Sequence, residues 1–319
     1  MFRALFLSLM LVLVLLVACA GPTPKPDAAA PGAGQQLTLH FDWPEGVTVA
    51  VRTEEEKERQ GQVVERSVET ETQSWERVGS ELRIRTAEVK AEGNDEMARL
   101  LEQVSPPTVA VDLQTAKLLR LDGLEATIAA LQAALAEADE APADPEKMTA
   151  LLTESLESAY QSDWESLVAF WANKTVTLGQ AVKGDTVGPA GIPGTDEVKQ
   201  DYEFRAERAI PCTGRTVEQR CVLLTYRSTP DKALLPEIAN QMMKATAEAA
   251  GQSTRDLPPI TRFELSNTVD LVTEPQTLLP HRREKRRTLI IGFEVPGHGK
   301  VEMTQVDTES TSYTYSPAR

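Results

Sequence analysis

Histidine is scarce in this sequence, with three in 319 residues: His40, His281 and His298. None stands four residues from another or inside an HExxH frame, which excludes the helical zinc-protease arrangement. Each reads as a solvated or capping side chain, and no catalytic residue, metal or cofactor is assigned. Basic charge is also short, 33 Lys and Arg against 48 Asp and Glu, for a net −15. That sign is wrong for nucleic-acid phosphates and for broad adhesion to anionic lipid. A phosphate loop is missing its lysine. The segment Gly179 to Thr186 spaces Gly179 and Gly184 suitably, but Asp185 follows where lysine is required. Gly188 to Gly194, rich in glycine and proline, suits a turn better than a dinucleotide cradle. Acids are abundant, yet a glycosidase-like pair is defined by separation in space, which a sequence does not disclose. Long apolar runs are few. The prominent one, Ala4 to Val17, is shorter than the roughly 20 residues of a membrane-spanning helix.

What is present at the N-terminus is an address. Met1-Phe2-Arg3 is a short basic start, the apolar run follows, and small residues precede Cys19. This is the layout of a secretory signal over residues 1–18. The tetrad Leu16-Val17-Ala18-Cys19 resembles the lipobox of bacterial lipoproteins. The resemblance implies that Cys19 is acylated on sulfur and becomes the new N-terminus. Several acyl chains would then hold the protein on a membrane, at roughly 0.8 kcal/mol per buried methylene. Ala20 follows, where lipoproteins retained in the inner membrane typically carry aspartate, so the expected location is the outer membrane, facing the periplasm. In a one-membrane bacterium it would be the outer surface. Losing Arg3 with the signal leaves a net −16, so attachment falls to the acyl chains. Residues 20–36, rich in Pro, Ala and Gly, read as a flexible tether.

Cys212 and Cys221 flank eight residues between strand-like segments. In an oxidising compartment the pair reads as a disulfide closing a hairpin loop. The rival, zinc, wants three or four ligands at set spacing, and no histidine is near in sequence.

The body, 37–319, reads as one α+β domain. Val47, Val49 and Val51 alternate with polar residues, as do Leu82 and Ile84. Gln62 to Trp75, carrying Glu65, Glu69 and Glu71, reads as an exposed or edge strand. Helical spacing marks Asn94 to Gln103. In a helical insert over 122–170, Asp122 and Asp144-Pro145 each open a helix, and Ser162 with Glu165 opens a third as a capping box. Strands around Tyr202 to Tyr226 are followed by a helix from about Lys232 to Ala250 and then by strands to Tyr315. The echo of Val111-Asp112-Leu113-Gln114-Thr115 in Val269-Asp270-Leu271-Val272-Thr273 suggests two pseudo-repeats, 37–121 and 171–291. Strands pairing with near neighbours predict a mainly antiparallel curved sheet or half-barrel with helices on one face. In order and spacing, over roughly 37–315, this is similar to the lipoprotein carriers of the LolA, LolB and LppX kind. Their half-open barrels hold acyl chains. No motif accompanies that likeness, so no functional residue carries over.

Against the acidic whole stands a basic run, Arg282, Arg283, Lys285, Arg286 and Arg287. It either contacts an anionic partner, such as a lipid headgroup, or is the wet part of a strand pairing with glutamates such as Glu54 to Glu56. The expected function is non-enzymatic, an envelope lipoprotein that binds or presents a lipid or apolar ligand. The alternatives are a scaffold for an envelope protein complex and, third, a hydrolase of envelope polymers.

Overall fold

The computed structural model describes residues 34–93, 104–137, 144–188, 198–212, 220–249, 253–254, 257–295 and 299–316. The signal, Cys19, most of the tether, the helix expected over Asn94 to Gln103, and His298 lie outside them.

Thirteen strands and three α-helices are described. The strands are β1 (Gln36–Thr38), β2 (Thr48–Arg59), β3 (Gln62–Val78), β4 (Glu81–Gly93), β5 (Thr108–Asp112), β6 (Leu118–Asp122), β7 (Thr175–Thr177), β8 (Ala181–Gly188), β9 (Val198–Pro211), β10 (Arg220–Pro230), β11 (Ile260–Thr273), β12 (Pro280–Val295) and β13 (Gly299–Ser316). The helices are α1 (Leu124–Glu137), α2 (Pro145–Trp164) and α3 (Leu235–Ala249). Eleven strands form one antiparallel sheet in the order β6-β5-β4-β3-β2-β13-β12-β11-β10-β9-β8. Sequence neighbours pair throughout, as local hairpins favour. The exception joins the two halves, where β13 pairs β2 from Gln305↔Arg59 to Ser316↔Thr48. The sheet is curved and unclosed. Its edges are β6 and β8, while β1 and β7 form a separate two-stranded ribbon.

Alternation decides what each face buries. On one face Val49, Val51, Trp75, Leu82, Ile84, Leu224 and Leu271 pack with Trp43, Trp164, Val168 and Trp171 into the main core. Farther along the same face of β11 and β12, Phe263, Leu265, Leu289 and Ile291 are covered by Leu235, Ala239 and Met243 of α3. A third cluster joins α1 to α2 through Leu124, Ile128, Leu131, Leu152 and Leu156. The helices therefore share one face of a mainly antiparallel α+β fold, as the patterning predicts.

Several local expectations are corrected. Gln62 to Trp75 is no edge strand, because β3 lies between β2 and β4. The glycine-rich stretch after Gly179 contains β8, in which a Cβ on Gly184 would sit 2.7 Å from the Tyr202 hydroxyl. That glycine makes room for a ring. Asp122 ends β6 and pairs with Arg120 Nε at 2.8 Å, while the first amides of α1 turn back to the Gly123 carbonyl. Asp144 does cap α2, accepting from the Lys147 amide at 3.0 Å. Ser162 and Glu165 open no third helix, because no glycine or proline interrupts α2 there. It continues into a π-helical turn, Glu165–Ala169.

The VDLxT echo also shifts. Asp112 sits in the β5–β6 turn, accepting from the Thr115 amide at 2.6 Å, whereas Asp270 lies inside β11 opposite Glu284. The turn that matches Asp112 to Ala116 in geometry is Glu274 to Leu278. Each is closed by a 2.8 Å bond, Ala116 N to Asp112 O and Leu278 N to Glu274 O. Each ends on a non-glycine residue in the left-handed region, φ 57° and 55°. Their carbonyls accept from indoles, Ala116 O from Trp164 Nε1 at 2.7 Å and Leu278 O from Trp43 Nε1 at 3.0 Å. Buried indole N–H groups require such partners.

Candidate binding cavity

Between the two apolar ends of the helix-covered face lies a belt of polar residues that cannot pack as a core. In β12 the basic run divides by alternation, so Arg283, Lys285 and Arg287 point to this face and are buried. Arg282 is exposed on the opposite face and Arg286 is half-buried there. The wet-strand reading is therefore corrected for three of the five residues. Their cross-strand neighbours are also one strand closer than Glu54 to Glu56. Arg283 faces Thr311, Lys285 faces Glu309, and Arg287 faces Asp307. On β2 the row continues with Thr53, Glu55 and Lys57.

Over this belt, α2 and the π-helical turn leave a cavity of about 880 Å³. That lies within the roughly 300–1,000 Å³ of small-molecule sites. Its wall toward α1 and β4–β5 is apolar, built from Ile84, Val104, Val109, Leu131 and Leu156. Another wall is aromatic, with Phe170 4.6 Å from Tyr226 and 6.0 Å from Tyr202 between ring centroids. The Lys174 ammonium lies 3.1 Å from the centre of the Phe170 ring, as cation–π contact favours. Desolvation there pushes Lys174 down to about 8, against the pull of Glu165.

The polar floor is organised around Glu309. Arg283 Nη2 donates to its Oε1 at 2.6 Å, Thr311 Oγ1 to the same oxygen at 3.0 Å, and Lys285 Nζ to Oε2 at 3.2 Å. Burial alone would raise Glu309, but Lys285 and Arg283 overcome it and hold the carboxyl at about 2. The same two cations reach up to the helix. Arg283 Nη1 donates to Asp163 Oδ2 at 2.7 Å, and Lys285 Nζ bonds Asp163 Oδ1. Two buried cations thus share two carboxylates, one from the floor and one from the roof, and no net charge is left in low dielectric.

Beside this network the glutamates of β2 and β3 behave differently. Burial, with Glu309 and Glu69 adding to it, pushes Glu55 up to about 8. Glu69 is pushed up to about 7 by burial and by Glu71 and Glu309. Glu71 is raised by burial, partly offset by Gln73 and Arg283. Near neutrality Glu55 is therefore largely protonated and able to donate a hydrogen bond. Tyr160 of α2 is likewise raised by burial and then by Glu71 and Glu69.

Neither the floor acids nor Asp163 was singled out by the sequence. The visible signal was the spacing of Glu69, Glu71 and Gln73 at every second position. In a strand polar on both sides, that pattern does not say which face turns inward.

Cys212 and Cys221 are disulfide-bonded at the open ends of β9 and β10, packed with Val272. The missing nearby histidine is supplied by the fold, since donor atoms of Cys212, Cys221 and His281 lie within 4.8 Å of one another. His281 is buried rather than solvated, its Nε2 3.1 Å from Glu274 Oε1. Both sulfurs are engaged in the disulfide.

No family model matches this chain, and no curated protein matches it. Among solved structures, one of lipovitellin, titled for its lipid–protein interactions, aligns at a TM-score of 0.42 and 6% identity. The alignment covers 87% of this chain and 26% of that one, so the chain spans about a quarter of the matched structure. A likeness of that degree says nothing of what this chain binds.

Proposed function

We propose that this protein binds an amphipathic, lipid-like molecule between its sheet and α2, without catalysis, and presents it from a membrane to which acylated Cys19 tethers it. One observation carries the reading. The concave face is hollow where its own side chains could have filled it, and the hollow is apolar and aromatic at its walls but polar at its floor. A wholly apolar ligand would take water from the floor's polar groups, beyond the bonds they make with one another, and offer no polar contact in exchange. A wholly polar one would waste the walls. The lipoprotein-carrier resemblance points the same way, as does the lipobox. The scaffold alternative draws support from the sheet edges, β6 and β8, each paired on one side, but it gives no use for the cavity.

Native mass spectrometry of the full chain, released from detergent, tests the proposal. A co-purifying amphiphile is expected in addition to the covalent acyl groups. Ala159→Phe, which projects a ring into the cavity from α2, should lose the adduct while keeping the fold by circular dichroism. An amphiphile equally bound by the variant, or absent from repeated wild-type preparations, would refute it.

A further inference from the structure

The two cations at the cavity floor are shared unequally. Glu309 has a side chain 7% exposed, belongs to β13 in the middle of the sheet, and cannot leave without unpairing strands. Asp163 is 39% exposed and belongs to the last turn of α2. Its position is locally unfavourable. Glu165 lies two residues on, and no basic residue stands in the last turn of α2 to offset the two carboxylates. A π-helical turn follows at once, a local widening found mostly where helices serve a site. Asp163 is therefore held down mainly by Arg283 and Lys285. Were the Asp163 side chain to turn away, those cations would keep Glu309.

We propose that Arg283 and Lys285 form a headgroup site for an anionic amphiphile, whose carboxylate or phosphate displaces Asp163 from the two cations. This rests on the cavity-binding reading and adds the ligand's charge. The exchange is isoelectric for a carboxylate, since one anion leaves the buried pair as another arrives. The floor thus avoids the cost of an uncompensated charge in both states. Displacing Asp163 turns Arg283 Nη1 and Lys285 Nζ, which now hold its two oxygens, onto two oxygens of one incoming carboxylate or phosphate. Glu55, opposite Glu309 on the next strand and raised by burial to about 8, is largely protonated near neutrality and donates to an incoming anion rather than repelling it. The acyl chain then runs along the apolar wall beside Ile84 and Leu156. Trp43 and Trp164, which also line the cavity, report its arrival.

The test uses the full chain in one nonionic detergent and three bromine-labelled probes that quench tryptophan on contact: stearate, its uncharged methyl ester, and stearyl phosphate. In the wild-type protein, stearate or stearyl phosphate should bind on the order of tenfold tighter than the ester, the scale of one charge-assisted hydrogen bond, and whichever binds tighter names the headgroup. Asp163→Asn should tighten the anionic probes by about tenfold and leave the ester unchanged. Lys285→Gln should collapse the preference to within about twofold; if that variant does not fold, the other two comparisons still decide. Equal binding of all three probes in both wild type and Asp163→Asn overturns the headgroup site while the cavity reading stands. Quenching by none of them overturns both.

Discussion

At the scale of single residues, the unusual economy of this protein is a cavity floor in which carboxyls of one residue type are tuned apart. Glu309, beside two cations, is held at about 2, and Glu55, one strand away and facing Glu309, is pushed up to about 8. The consequences for stability have opposite signs. Glu309 is lowered in the folded state, so it contributes stability above its ordinary 4.5 that is lost as pH falls toward 2. Glu55 and Glu69 are raised, so the folded state holds protons that the unfolded chain has released. Stability falls as pH climbs from about 4.5 through 7 and 8. The melting temperature should therefore be highest in mildly acidic buffer and decline toward pH 8. With each pKa unit equivalent to about 1.4 kcal/mol, the decline is on the order of a few kcal/mol. Glu55→Gln should flatten most of that slope, and a wild-type melting temperature that climbs steadily over the same range would contradict the assignment.

At the scale of elements, two devices bear on function. The first is α2, whose apolar stripe is bound to α1 and whose last residue, Trp164, is buried in the main core, while Asp163 beside it is tied to β12 by charge. Apolar contact is indifferent to headgroups, whereas the ion pairs can be exchanged. The second is the β9–β10 hairpin, stapled by Cys212–Cys221. Closing so short a loop stabilises by roughly 2–3 kcal/mol in the chain-entropy account. The double substitution Cys212→Ser, Cys221→Ser should therefore lower the melting temperature by about 4–12 °C, at roughly 2–4 °C per kcal/mol. Ligand binding should be unaffected, since neither cysteine lines the cavity. A thermal scan with and without the native mass spectrum separates the two effects.

At the scale of the whole molecule, a sheet that begins at β2 and ends beside it at β13 leaves its open gap between β6 and β8, on the far side of the fold. The N-terminal ribbon strand β1 pairs with β7 near that core, Leu37 opposite Val176. The proposed anchor makes a direct demand: cells fed labelled palmitate should incorporate it into the wild-type protein and not into Cys19→Ala, and the wild type should fractionate with membranes. Label retained by the substituted chain, or absent from both, would remove the membrane from the functional reading while leaving the cavity untouched.

Much of this architecture was legible from local patterns. Period-two alternation marked Val49, Val51, Leu82 and Ile84 as buried, and all four are. Asp144-Pro145 marked the start of α2, and the cysteine spacing marked the hairpin staple. These are near-neighbour effects, in which the residues that decide the structure are also the ones that adopt it. The course of α2 through Ser162, the inward side of β3, and the partners of the basic run were not legible. Each depends on segments distant in the chain: Arg283 meets Asp163 across 120 positions and Glu309 across 26. A charged residue's preference for water is reversed only by a partner that the fold delivers, and alternation gives two faces without saying which is inside. The sequence by itself thus determined most of the described strands, the start of α2, the staple and the acidic character. Tertiary structure alone decided that the belt of charge turns inward and leaves a hollow above it, because burial of charge is a property of pairs and not of residues.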